Sequence, residues 1–212
     1  MSVRARLLAL LGVVLLLWGG PAMATEEPAF RLVSKTGAFE IRDYPALIVA
    51  EVTVAGDQRT AAARGFRKLA GYIFGGNTRK GAIAMTAPVS QARSGARSQS
   101  IAMTAPVLQT PVQGEWVVRF TMPSRWTLAT LPAPNDPSVR ITTLPATRMA
   151  VTTFSGVANQ ATFDRKSGEL VGFVTSQNLR TTGEPTLAQY DPPWTLPFLR
   201  RNEVMVAVGP GR

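Results

Sequence analysis

Phe39-Glu-Ile-Arg-Asp-Tyr-Pro-Ala-Leu-Ile-Val-Ala-Glu-Val-Thr-Val-Ala-Gly56 decides the fold, because the stretch occurs twice. It aligns without gaps on Val139-Arg-Ile-Thr-Thr-Leu-Pro-Ala-Thr-Arg-Met-Ala-Val-Thr-Thr-Phe-Ser-Gly156, at an offset of 100. Six positions are identical: Ile41/Ile141, Pro45/Pro145, Ala46/Ala146, Ala50/Ala150, Thr53/Thr153 and Gly56/Gly156. Each copy reads as a strand, a proline-marked turn and a longer strand that stops at glycine. A helical segment follows each copy. Shared turn and shared helix together favour duplication over chance.

The first helix is expected from about Asp57 to Phe74, with Asp57 as N-cap and Gly75-Gly76 as the stop. At 100° per residue, Ala62, Phe66, Leu69, Ala70 and Ile73 share one apolar stripe. Arg64, Arg67 and Lys68 fall within an arc of about 100° on the other side, with no acid among them. The second helix is expected from about Asn159 to Thr175. Its inner stripe is Phe163, Leu170 and Val174, and Asp164, Arg165, Lys166 and Glu169 form a mixed-sign outer face.

A second repeat lies between the helices. Ile83-Ala-Met-Thr-Ala-Pro-Val89 recurs letter for letter as Ile101-Ala-Met-Thr-Ala-Pro-Val107, joined by a polar link, Ser90 to Ser100. Two identical apolar strands around such a link read as a hairpin, with Met85 and Met103 on its buried face. Trp116 to Met122 is a further strand before a proline-rich loop, Pro123 to Pro137. Later strands are expected around Leu187 to Tyr190 and Glu203 to Val208. The fold class is therefore α+β: a curved antiparallel sheet or distorted β-barrel with two helices, a pseudo-twofold repeat of βαβ-like halves.

Composition removes most catalytic machinery. The 212 residues are 45% apolar and 17% charged, enough for one packed domain. With no cysteine there is no disulfide, thiolate nucleophile, iron–sulfur ligand or covalent haem attachment. With no histidine there is no Ser-His-Asp triad, HExxH zinc site or proximal-histidine haem ligand. At the N-terminus, Arg4 and Arg6 precede an apolar run from Leu7 to Trp18, followed by Ala22-Met23-Ala24. Twelve helical residues reach only about 18 Å, short of the ~30 Å hydrocarbon core. Residues 1–24 thus read as a cleavable signal peptide and 25–212 as a single exported domain, periplasmic or secreted, with no stable membrane anchor after cleavage. That domain keeps 21 basic and 13 acidic side chains, net +8. The whole chain has 19 Arg and 4 Lys, spread without a long cationic run. Nucleic acid is therefore not the expected partner, while a local basic patch for an acidic ligand stays open.

Several segments together resemble the SOUL haem-binding protein family. They are Phe39 to Tyr44, the helix ending in Gly75-Gly76-Asn77, Ile83 to Val89, and Val118-Arg-Phe-Thr-Met-Pro123. Further along come Leu131-Pro-Ala-Pro134 with Asp136 and Val139, Phe154-Ser-Gly156, Tyr190-Asp-Pro-Pro193 and Arg200-Arg-Asn-Glu203. The resemblance runs from roughly Val33 to Val208. It implies a distorted β-barrel with two helices in pseudo-twofold arrangement, and a monomeric, non-enzymatic protein that binds haem non-covalently, or other porphyrins. Such a tetrapyrrole would lie in an apolar groove beside the first helix. Phe66 and Leu69 would form the groove floor, and Arg64, Arg67 and Lys68 would meet the propionates. Without histidine, iron ligation falls to Met85, Met103 or Tyr72. Three alternatives stay open on the residues alone: Phe66, Leu69 and the methionines as plain core, a groove for other amphipathic small molecules, and a hydrolase based on Asp191 and Glu203.

Overall fold

A computed structural model of the chain describes residues 25–79 and 98–211. The expected signal peptide, residues 1–24, and the first apolar repeat with Met85 lie outside the described residues. The first half contains β1 (Arg31–Thr36), β2 (Phe39–Tyr44), β3 (Leu47–Ala55), α1 (Gln58–Ile73), β4 (Asn77–Thr78), β5 (Val107–Val112) and β6 (Glu115–Thr121). After a loop with the two-residue β7 (Ala133–Pro134) come β8 (Arg140–Leu144), β9 (Thr147–Phe154), α2 (Gln160–Ser176), β10 (Leu179–Thr181), β11 (Thr186–Gln189) and β12 (Asn202–Pro210). Both helices start where the capping residues place them. Asp57 accepts from the Thr60 N–H and Asn159 from the Thr162 N–H, each satisfying one orphan donor of a first turn.

The main sheet runs β1-β2-β9-β12-β11-β5-β6-β3-β8, with β10 added on β12. Exchanging the halves (β2 for β8, β3 for β9, β5 for β11, β6 for β12) reproduces this order from β2 to β8 in reverse. The pseudo-twofold axis therefore passes between β5 and β11, where Gln109 and Leu187 are partners. Each proline turn carries the chain across the sheet: β2 pairs with β9 and β8 with β3. The two copies of the repeat are thus interlocked rather than adjacent. The sheet path ends at β1 and β8 with no pairing between them among the described residues, so it is a large antiparallel sheet, not a closed barrel.

Two other expectations need correction. Ile101 to Pro106 is not a strand; only Val107 onward enters β5. Proline at position 106 cannot donate to a ladder. The preceding backbone bonds elsewhere, Ile101 N–H to the Ile73 carbonyl and Ala105 N–H to the Glu26 carbonyl. The buried stripe of α1 is also rotated from the apolar one. It is Gln58, Ala61, Gly65, Leu69, Tyr72 and Ile73, and Phe66 lies outside it. Small residues decide this, because Gly65 and Ala61 let the helix sit closely on β6, against Val118. In α2 the buried residues are Phe163, Leu170 and Val174, as the periodicity predicts.

Both helices cover one face of the sheet, and the main core lies between them and it, around Val52, Val118, Phe120, Leu170 and Val206. The opposite face carries a small second cluster of Val151, Ala188 and Met205, with Tyr44, Leu108, Met149 and Tyr190 packed on it.

Candidate functional site

The expected site residues on α1 divide between its two sides. Leu69 is fully buried and belongs to the core, so it cannot floor a groove. Tyr72 also points inward. Its hydroxyl donates to the Pro132 carbonyl at 3.0 Å, and burial pushes its pKa up to about 12. Neither residue can reach a ligand on the helix surface, because the rotated packing turns both into the core. Met103, partly buried, packs against the main core. Met85 lies outside the described residues.

Phe66 remains outside, 39% exposed, with its ring edge-on to Phe120 at 5.4 Å. Arg64 and Arg67 are exposed, and among the described residues neither pairs with a carboxylate. Lys68 is already engaged, with its ammonium 3.4 Å from Asp136 and 2.7 Å from the Ser138 hydroxyl. Phe74, the C-cap, is 64% exposed. With Phe66 and Ala70 it sits at i, i+4, i+8 spacing, a signal present in the sequence and overlooked there. The outer face of α1 therefore joins two exposed aromatic rings to two unpaired guanidinium groups.

On the open face of the sheet the structure assembles a set that sequence reading missed. Arg42, on β2, makes a bidentate contact with Glu203, on β12, at 3.0 and 3.1 Å. Its Nε donates to Glu40 at 2.7 Å, and the Tyr190 hydroxyl donates to Glu203 at 2.7 Å. Arg42 and Glu203 are 5% and 3% exposed. Burial works against the Arg42 charge, but hydrogen bonds to Glu203 and Tyr44 outweigh it, so its pKa lies above the ordinary range. Burial, reinforced by the Glu203 charge, pushes the Tyr190 phenol up. These groups neutralise one another. Glu203 has no free oxygen for general-base work, and Asp191 is held by the Arg201 N–H. Among the described residues no group of three or more acids is placed to hold a metal.

Two cavities border this face. One, of about 690 Å³, is an open groove along Arg148, Asn178, Leu179 and Gly209. The other, of about 190 Å³, is apolar and roofed by Glu27, Pro28 and Phe30. Neither touches α1.

The family model for "SOUL heme-binding protein" matches residues 25–207, from the end of the expected signal peptide to the last strand. The chain belongs to the SOUL family. That family binds haem or tetrapyrroles, and membership carries a small-molecule tetrapyrrole ligand to this chain at the level of the family. Among curated proteins none matches. Solved structures share the fold of this SOUL-family chain at low identity. The EcmrR C-terminal domain superposes with a TM-score of 0.58 at 10% identity, covering 81% of this chain and 97% of that one. A hydrolase from Listeria innocua gives 0.51 at 13% identity, covering 84% and 94%. At these identities the likeness is one of fold alone.

Proposed function

We propose that this protein is an exported, monomeric, non-enzymatic carrier or sensor that binds haem or a related porphyrin non-covalently on the outer face of α1, without a histidine ligand. The expected signal peptide supports export, with the working domain beginning near Thr25. One observation carries the placement: Phe66 and Phe74 stand exposed beside Arg64 and Arg67, whose charges have no acidic partner among the described residues. The rings offer apolar contact to a porphyrin face. The guanidinium groups are matched to propionates, which they can grip with two parallel hydrogen bonds. Lys68 contributes less, because binding a propionate would break its contact with Asp136. Iron, where present, is left to methionine or water.

Haemin titration followed at the Soret band tests this. The double variant Arg64→Glu/Arg67→Glu should weaken binding at least tenfold, about 1.4 kcal/mol. Arg165→Glu on α2 should leave it unchanged. Iron-free protoporphyrin should bind within about tenfold of haemin, since no strong axial ligand distinguishes them. Parent-like affinity in the double variant would remove the site from α1.

A further inference from the structure

The smaller cavity on the open face is lined by Tyr44, Leu108, Met149, Tyr190 and Met205, with Phe30 in its roof. It lies across the sheet from both helices, so it is not part of the α1 site. Its volume, about 190 Å³, falls below the roughly 300–1,000 Å³ of sites for drug-sized ligands. It is, however, larger than the roughly 150 Å³ apolar cavity that takes up benzene. A tetrapyrrole does not fit. One or two aromatic rings do.

The lining also specifies charge. The two acids nearest the cavity are neutralised, Glu203 by Arg42 and Glu27 by Arg201. A charged ligand would find no free counter-ion and would lose its hydration. One polar atom stands apart. Thr121 lines the cavity and is 5% exposed, and its side-chain hydroxyl is buried with no hydrogen-bond partner among the described residues. Buried hydroxyls are normally satisfied, so a ligand group that displaces what covers this one completes its hydrogen bonding.

We infer that the open face carries a second binding site, for an uncharged mono- or bicyclic aromatic molecule with one hydrogen-bonding group that meets the Thr121 hydroxyl. The strap from Glu27 to Phe30 borders it, held by the Glu27–Arg201 ion pair and by the Ala105 N–H on the Glu26 carbonyl.

Indole, its apolar isostere indene, and the charged analogues benzoate and benzylammonium serve as probes in calorimetric titrations of the protein. Indole should bind saturably at one site, and both ions at least tenfold more weakly. Thr121→Val should weaken indole several-fold and leave indene unchanged. Leu108→Trp, which fills the space, should abolish both; Leu108→Phe is the milder substitute if cooperative urea unfolding shows the first has misfolded. Haemin affinity should be the same in all these variants. The inference is overturned if no probe saturates, if the filled variant still binds, if an ion binds as well as indole, if Thr121→Val loses both probes equally, or if haemin displaces indole one for one. A failed haemin titration with intact indole binding would sink only the α1 reading.

Discussion

The two halves of the molecule share a backbone and differ in where their charges lie. Arg42 on β2 corresponds to Thr142 on β8, and Glu203 on β12 corresponds through the sheet register to Val117 on β6. The pair that joins the halves through β2 and β12 is therefore replaced at the symmetry-related positions by neutral side chains. The helices diverge in the same way. On α2 the exposed Glu169 is gripped by Arg165 and Lys166 at 2.8 and 2.6 Å, so its outer face is electrically closed. On α1, Arg64 and Arg67 have no such partner. Strand order is what the repeat holds fixed; helix seating and charge are what the halves vary.

The largest effect should come from breaking the buried pair. Arg42→Met leaves Glu203 buried without its partner and should cost about 3–5 kcal/mol in urea unfolding. The double variant Arg42→Met/Glu203→Leu gives these two positions the neutral character of Thr142 and Val117, and should recover most of that loss. If the double variant is as unstable as the single one, packing rather than charge separates the halves.

Next come the glycines of the two helices. A Cβ at Gly65 would lie 2.5 Å from Val118 Cγ2, whereas Gly172 has nothing within 4 Å. Gly65→Ala should therefore destabilise by about 1–3 kcal/mol, with partial rescue by Val118→Ala. Gly172→Ala should instead stabilise by about 0.5–1 kcal/mol through helix propensity. Equal effects at both positions would mean that α1 does not sit closer to the sheet than its own glycine requires.

Smallest is the contrast between caps. Asp57→Ala and Asn159→Ala should each cost about 1 kcal/mol at neutral pH. Only the first cap titrates. The Thr60 N–H and hydroxyl hold the Asp57 carboxyl below its usual pKa. Its stabilisation is therefore complete above the unfolded value near 3.9 and is lost as pH falls through the lower folded value. Asp57→Asn should flatten that part of the acid limb of the urea midpoint, and Asn159→Asp should steepen it. An unchanged limb in Asp57→Asn would show that the carboxylate adds nothing to the cap beyond its hydrogen bond.

Sequence reading reached the helices to within a residue or two because caps and periodicity act over one or two turns. It also placed Arg64 and Arg67 on the solvent side of α1. It misassigned Leu69 and Tyr72, because an apolar stripe defines a direction only when the large residues do the packing. Here Ala61 and Gly65, nearly invisible to hydropathy, form the contact and turn the helix. The strand expected at Ile101 to Val107 failed because its backbone bonds to segments far away in sequence.

By itself the sequence determined the duplicated strand–strand–helix unit, the caps, the exclusion of cysteine and histidine chemistry, and the family. All of these are written in local spacing or composition. Only the tertiary structure decided that β2 crosses to β9, that Arg42 meets Glu203 across 161 residues of chain, and that Thr121 is left unpaired beside an apolar cavity. Side-chain alternation tells a strand which residues share a face, but not which strand lies beside it. That choice belongs to long-range pairing, and the open face with its cavity is made of nothing else.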